Sequence, residues 1–122
     1  MYPIFDLHAD TLEYLYLLRG AAGAAEADLD VLPDTMVDLT RMEQGGYLAQ
    51  FFPMFLPYQS HPELTPMPDM EYYHLLRDSL LRSIERHSDR LALARNAEEL
   101  RRNRAAGKIS AILTIEDGCA LR

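Results

Sequence analysis

Two mostly apolar runs, at residues 47–54 and 109–115, constrain the fold of this chain more than any other feature. Neither run shows the strict alternation of apolar and polar residues that is typical of a strand with one solvent-facing side. Runs of this length and composition are typical of parallel strands that are buried on both faces. Because parallel strands need long crossover connections, usually helices, the two runs predict a parallel α/β fold.

The segments around these runs supply the other elements of such a fold. An opening strand is predicted over residues 3–8 and a brief extended piece over residues 91–94. Apolar periodicity and capping signals predict four helices, at residues 11–19, 38–44, 69–88 and 96–105. Residues 20–35, rich in Ala, Gly and acidic residues, and the proline-rich residues 56–68 are expected to be surface loops, the first of them mobile. We treat residues 1–122 as one segment.

His8 and Asp10, which follow the first predicted strand, form a candidate metal site. Residues two apart on a strand point to the same side, so the imidazole and the carboxylate would project together. Such a pair suits a borderline metal such as zinc. The alternative is a buried histidine beside an aspartate that caps the next helix. Glu116 ends the run at 109–115, and parallel α/β barrels gather functional residues at the carboxyl ends of their strands.

Four stretches in a fixed order resemble the membrane, or renal, dipeptidase family of zinc peptidases. They are Phe5-Asp6-Leu7-His8-Ala9-Asp10-Thr11, then Asp38-Leu39-Thr40-Arg41-Met42 with Gly45-Gly46-Tyr47-Leu48-Ala49-Gln50-Phe51-Phe52, then Ala105-Ala106-Gly107-Lys108-Ile109-Ser110-Ala111-Ile112-Leu113, and finally Thr114-Ile115-Glu116-Asp117-Gly118. The resemblance runs over nearly the whole chain. It implies the N-terminal part of a TIM-like (β/α)8 metal-dependent hydrolase barrel with about three barrel strands present. It also places residues 20–35 near the mouth of the active site.

The same resemblance implies roles for three residues. His8 and Asp10 would bind a first zinc ion, while Glu116 would bridge two zinc ions and act in catalysis. The implied reaction is the hydrolysis of a dipeptide by metal-bound hydroxide. The family completes the second zinc site with histidines on later strands, which this chain does not contain. The chain has alanine, aspartate and cysteine where asparagine, glycine and histidine are common in the family, namely at Ala9, Asp117 and Cys119.

The length of the chain bears directly on its function. A complete barrel takes about 250 residues, whereas this chain has 122. We therefore expect an N-terminal portion of a dipeptidase that is inactive alone. The alternative is a non-catalytic, truncated half-barrel that acts only through self-assembly or a partner chain. In either case the open edges of the sheet predict a homo-oligomer or a partner chain that covers them.

Charge and cysteine content bear on the partners and the compartment. A net charge of −7 and a pI of about 4.9 argue against nucleic acid and anionic membranes as partners. The single cysteine, Cys119, excludes an intrachain disulfide framework. We see no signal peptide and no apolar run of membrane-spanning length, so we expect a cytoplasmic protein. The other histidines, His61, His74 and His87, are expected to lie away from the metal site, the last two on the protein surface.

Overall fold

The structure is a computed structural model that describes residues 2–20, 27–56, 67–116 and 118, with only the backbone for residues 18–20. Within this part of the chain, parallel strands alternate with helices, which confirms the predicted α/β class. The strands are β1 (Ile4–Asp6), β2 (Tyr47–Met54), β3 (Leu91–Leu93) and β4 (Ile109–Ile115). The helices are α1 (Thr11–Gly20), α2 (Leu39–Gly45), α3 (Asp69–Arg86) and α4 (Ala97–Ala105).

The strands of the described residues form one parallel sheet in the order β1-β2-β4-β3. The central pair, β2 and β4, runs in register from Ala49 opposite Ser110 to Met54 opposite Ile115. These are the two apolar runs of the sequence, and their predicted strand character is confirmed. Burial on both faces holds for much of β2 and for the first half of β4, but it is wrong for the end of β4, where Ile115 is exposed.

The predicted bounds of the first strand need correction, whereas the extended piece predicted at residues 91–94 is confirmed as β3. β1 spans residues 4–6 and not 3–8. After Asp6 the backbone N–H of His8 donates to the side chain of Asp6 and not to a strand carbonyl, so the strand pairing ends there. The extended piece predicted at 91–94 is a true strand, β3, which pairs with the first residues of β4 on the side away from β2.

The hydrophobic core lies between one face of the sheet and the helices α1 and α3. Leu12 and Leu15 of α1 are fully buried there. The apolar stripe predicted for α3 is confirmed by its buried residues Tyr72, Tyr73, Leu76 and Leu80. The rings of Tyr16 and Tyr72 meet edge to face with centroids 4.9 Å apart, which fixes α1 against α3. No helix in the described ranges is long and apolar enough to span a membrane.

The mobile loop predicted at residues 20–35 is wrong for its described part, residues 27–35. Leu29 and Leu32 are buried in the core, and the backbone N–H of Leu39 donates to the carbonyl of Leu29. Asp28 and Asp30 of this segment also form hydrogen bonds with Ser83 and Arg90, far along the chain. Residues 21–26, and residues 57–66 of the predicted proline-rich loop, lie outside the described residues.

The helix ends follow local chemistry. The carboxylate of Asp38 accepts from the backbone N–H of Arg41 at the start of α2, and Gly46 ends that helix with a φ of 74°, a conformation that favours glycine. At α4 the capping box predicted for Asn96 and Glu99 is half right. Asn96 caps the N–H of Glu99, but the carboxylate of Glu99 accepts from the N–H of Arg95.

Candidate metal centre

His8 and Asp10 lie in the short turn between β1 and α1. The backbone N–H of His8 donates to Oδ1 of Asp6 at 3.1 Å, which turns the chain as soon as the strand ends. Nε2 of His8 then lies 3.0 Å from Oδ1 of Asp10. The two side chains are 51% and 62% exposed, so the pair faces solvent. Within the described residues, His8 is therefore not a buried core histidine.

Glu116 reaches the same place from the end of β4. Its backbone N–H donates to the carbonyl of Met54 at 3.1 Å, so the chain still runs beside β2 as it leaves the sheet. Oε2 of Glu116 lies 3.4 Å from Nε2 of His8, and the side chain is 39% exposed. One donor atom from each of His8, Asp10 and Glu116 lies within 4.8 Å of the other two. The structure thus brings together the three residues that the sequence singled out.

The donor set fits a divalent cation. It offers one imidazole nitrogen and two carboxylates, the mixture of ligands that zinc accepts. Two carboxylate charges balance the charge of such an ion. The partial exposure of all three side chains leaves space for solvent and for further ligands. Assignment of His8, Asp10 and Glu116 as ligands remains a prediction.

The other candidate residues lie elsewhere or outside the described part. His74 is exposed on α3, as expected. The expectation that His87 is a surface residue is wrong, because its side chain is only 19% exposed and its Nε2 lies 3.0 Å from the carboxylate of Asp28. His61, Asp117 and Cys119 lie outside the described residues.

A cavity of about 570 Å³ opens beside His8 and Asp10. Tyr14 of α1 and Tyr47 of β2 contribute to its walls, and residues 34–37 close another side. The family resemblance placed residues 20–35, which include Asp34 and Thr35, near the mouth of the active site. Met36 and Val37 lie just beyond that stretch and were not predicted to belong to the site.

Tyr47 is fixed in this cavity by Asp6. Burial raises the pKa of Tyr47 above its ordinary value, and the charge of Asp6 together with their hydrogen bond raises it further. The phenol therefore stays protonated at neutral pH and donates to Asp6. Because Asp6 also holds the backbone of His8, one carboxylate joins the cavity wall to the turn that carries the metal-site residues.

Residues 34–37 are held in place by Arg41 and Asp38. Nη2 of Arg41 donates to the carbonyl of Leu32 at 2.6 Å and to Oγ1 of Thr35 at 3.3 Å, and its Nε donates to Asp38 at 2.9 Å. Asp38 also accepts from the backbone N–H of Leu32. Burial acts to raise the pKa of Asp38, but the hydrogen bonds from Arg41 and Leu32 outweigh it, and the pKa lies below its ordinary value.

Two further charged contacts tie the same stretch of chain to distant elements. Oδ1 of Asp28 accepts from the hydroxyl of Ser83 at 2.6 Å, and Oδ2 lies 3.2 Å from Arg86. Nη1 of Arg90 donates to Asp30 at 2.6 Å, while its Nε and Nη2 both donate to the carboxylate of Glu43 in α2. Charge-assisted bonds of this kind are stronger than neutral ones, so residues 28–30 are fixed to the end of α3 and to α2.

A parallel α/β sheet that carries a histidine and two carboxylates at the carboxyl ends of its strands is typical of metal-dependent hydrolases with barrel folds. Comparison with known protein families identifies which group of these hydrolases the chain resembles. Residues 1–122 match the family model of membrane dipeptidases, peptidase family M19, and the chain belongs to this family. The α/β fold and the dipeptidase-family resemblance inferred from the sequence are thereby confirmed.

The chain is also similar to individual dipeptidases and metallopeptidases. Dipeptidase ataJ of Aspergillus terreus is 28% identical over an alignment that covers 93% of this chain and 28% of that protein. A metallopeptidase from Rhodobacter sphaeroides, solved with a phosphinate mimic of the dipeptide L-Ala-D-Ala, superposes with a TM-score of 0.76 at 27% identity, covering 97% of this chain and 39% of its own. The solved family M19 metallopeptidase named dipeptidase AC gives 0.75 at 29% identity, covering 97% and 36%. This chain therefore spans less than two-fifths of each of these relatives.

Proposed function

We propose that His8, Asp10 and Glu116 are ligands of the metal centre of a dipeptidase, and that the protein acts in the hydrolysis of dipeptides. The observation that carries the proposal is the convergence of the three donor atoms within 4.8 Å at the ends of β1 and β4. Membership of family M19 supports the reaction class. Because the chain spans only part of its relatives, the proposed activity belongs to the whole enzyme of which these residues form a part.

The proposed metal is zinc. The imidazole of His8 is a neutral donor, and Asp10 and Glu116 supply charge, a combination that suits this ion better than the all-oxygen sites of calcium or magnesium. When bound, a zinc ion polarises the carbonyl of the peptide bond and lowers the pKa of water. We further propose that Glu116 bridges two such ions, since a carboxylate has two oxygens that can each contact one cation.

The chain's own residues orient these donors. Asp6 accepts from the backbone N–H of His8 and so fixes the turn after β1. The carbonyl of Met54 fixes the backbone of Glu116. Each proposed ligand is thus anchored through its main chain while its side chain stays partly exposed. A site of this kind can bind a metal without moving the sheet.

We propose that the 122-residue chain alone does not turn over dipeptides, and that the enzyme acts in the cytoplasm. Substrate positioning and electrostatic stabilisation supply much of an enzyme's rate. The described residues provide three candidate metal ligands and one wall of a cavity. Most of the groups that would position the substrate and stabilise charge in the reaction are not among them. The single cysteine of the chain fits a reducing compartment.

A second function is favoured by the exposed apolar residues at the sheet edge. Phe5 and Leu7, at the end of β1, and Ile115, at the end of β4, are all exposed large apolar side chains. In the described residues nothing pairs with the outer edge of β1. We propose as the alternative a non-catalytic half-barrel that acts by assembling with itself or with a partner chain.

One purified sample of the natural protein can decide between the two functions. Intact mass, metal content and dipeptide turnover are measured on that sample. The dipeptidase proposal predicts bound zinc and turnover that a chelator abolishes, with both lost in His8→Ala and Glu116→Gln and retained in the control Glu85→Gln, an exposed carboxylate on α3. A metal-free, inactive oligomer whose assembly is unchanged by His8→Ala would contradict it and support the non-catalytic alternative.

A further inference from the structure

The cavity beside His8 and Asp10 has the size of a ligand pocket. Its volume of about 570 Å³ falls within the roughly 300–1,000 Å³ that is usual for small-molecule sites. Two of the three proposed metal ligands, His8 and Asp10, contribute to its lining. A molecule whose reacting bond lies at the metal would therefore extend one of its ends into this cavity.

The charges around the cavity select which end that would be. Three aspartates line it, Asp6, Asp10 and Asp34, and among its described lining residues there is no lysine or arginine. A dipeptide carries an ammonium group at one end and a carboxylate at the other. With the charge of Asp10 balanced by the metal, Asp6 and Asp34 still make the lining acidic, so it attracts the ammonium group and repels the carboxylate.

Asp34 is the aspartate that is available to a ligand. Asp6 is already engaged with the backbone of His8 and with Tyr47, and Asp10 is engaged with the imidazole of His8. Asp34 makes no hydrogen bond or ion pair with any other residue in the described part of the chain. Its carboxylate is exposed at the cavity wall.

Met36 gives the same wall an apolar contact. Its side chain is 94% exposed although it sits on a segment whose neighbours are firmly held. Thr35 donates to the carbonyls of Leu32 and Val37, and Val37 is itself buried. A methionine side chain adapts to apolar groups of different shape, so this position suits contact with a variable side chain.

We propose that this cavity binds the amino-terminal residue of the dipeptide, with Asp34 pairing with the α-ammonium group and Met36 contacting the side chain of that residue. The proposal rests on the dipeptidase function proposed above. The carboxyl-terminal residue of the substrate then lies outside this cavity. Arg41 and Asp38 act as positioning residues, because they hold both sides of the segment that carries Asp34 and Met36.

Binding of a dipeptide mimic to the zinc-loaded natural protein tests the role of Asp34. The probe is a phosphinate mimic of a dipeptide, the class of molecule bound in the Rhodobacter sphaeroides relative, in a form with a free amino group and in an N-acetylated form. Calorimetry should show that acetylation weakens binding to the wild type by about tenfold or more, since it removes a charge-assisted hydrogen bond. Asp34→Asn should bind the free-amine form about tenfold more weakly and lose most of the difference between the two forms.

The controls separate this inference from the function on which it rests. Glu85→Gln removes one exposed negative charge from α3, away from the cavity lining, and should keep the full preference for the free amine. An unchanged preference in Asp34→Asn would overturn the inference while leaving the dipeptidase proposal intact. A zinc-loaded wild type that binds neither form of the mimic would overturn both.

The role of Met36 is tested with mimics that carry either alanine or leucine as the amino-terminal residue. Met36→Ala should reduce the preference of the protein for the leucine form by several-fold, because the apolar contact is lost. Val31→Ala is the matched control, since Val31 is an exposed apolar residue of the same stretch that does not line the cavity. Equal effects of the two substitutions would exclude a contact between Met36 and the ligand.

Discussion

The Nε2 atom of His8 lies 3.4 Å from Oε2 of Glu116, although β1 and β4 are not neighbours in the sheet. The strand β2 lies between them, with Asp6 at the end of β1 opposite Gln50 and Ile115 at the end of β4 opposite Met54. Because β1 and β4 run in the same direction, the residues that follow them leave the sheet at the same edge and can approach each other across β2. The contact between His8 and Glu116 is thus a direct product of the parallel topology.

The first prediction concerns metal affinity. Replacing Asp10 with alanine removes one of the three donors and should weaken zinc binding by at least about tenfold, the scale seen even when groups that only orient a ligand are changed. Calorimetric titration of the wild type and of Asp10→Ala with zinc gives the two affinities. Glu85→Ala serves as a control that removes a carboxylate outside the site. Equal affinities in the wild type and in Asp10→Ala would remove His8 and Asp10 as the site.

The positions of His8, Asp10 and Glu116 after strands could be predicted from local patterns, while their grouping as one metal site was implied by the family resemblance. The apolar runs at residues 47–54 and 109–115 identify the central strands, and the polar residues that follow a strand must lie at its carboxyl end. The bounds of β2 were predicted correctly for the same reason. Strand positions of this kind follow from local sequence alone, whereas the contact between His8 and Glu116 depends on the pairing of distant strands.

The order of residues 27–38 could not be predicted, because distant residues impose it. Asp28 is held by Ser83 and Arg86, and Asp30 by Arg90, and no local pattern reveals such pairs. The composition of the segment is that of a loop, so the sequence indicated mobility. The same contacts explain why His87 is not a free surface residue. For the same reason Met36 and Val37 were not predicted to belong to the cavity wall.

The second prediction concerns the stability of this anchored segment. Asp28→Asn should lower the free energy of unfolding by about 1–3 kcal/mol, the range for losing hydrogen bonds to a charged group. Urea denaturation measures the change. Asp78→Asn is the matched control, because it removes an aspartate from a half-exposed pair with Arg77 and should cost less than about 1 kcal/mol. A loss no larger than that of the control would show that Asp28 does not anchor the segment.

The third prediction follows from the pKa of the same residue. Burial would raise the pKa of Asp28, but hydrogen bonds from Ser83, His87, the backbone of Leu29 and Arg86 outweigh it and lower the pKa from 3.8 to about 2. A carboxyl whose pKa is lower in the folded state stabilises the fold above its unfolded pKa. This contribution should be lost as the pH falls from about 4 to about 2. The unfolding free energy of Asp28→Asn should therefore fall less over this range than that of the wild type, and parallel curves would contradict the prediction.

The fourth prediction is that the 122-residue chain alone shows no dipeptide hydrolysis, even when saturated with zinc. Its described residues supply three candidate ligands and one acidic cavity wall, but positioning and electrostatic stabilisation demand more groups around the reacting bond. The assay needs a sample whose intact mass matches 13.9 kDa, so that no longer form contributes. Robust turnover by such a sample, abolished by a chelator, would show that the catalytic centre lies elsewhere than proposed.

The fifth prediction is that this chain is at least a dimer at low micromolar concentration. The outer edge of β1 pairs with no strand of the described residues, and β3 covers only the first residues of β4. Exposed apolar side chains, including Phe5 and Leu7, lie along or just beyond the β1 edge. Open edges of this kind template pairing with another chain. Sedimentation velocity measures the state of association.

A substitution at the open edge tests the cause of this association. Leu7→Lys places a charge beside β1 and should shift the protein toward monomer, because lysine on an edge opposes strand pairing and the apolar contact is lost. Met36→Lys adds the same charge to another exposed apolar position, at the cavity wall and not at the sheet edge, and should leave association unchanged. A compact wild-type monomer with cooperative unfolding would contradict the prediction and would indicate that the open edge of β1 is stable in water.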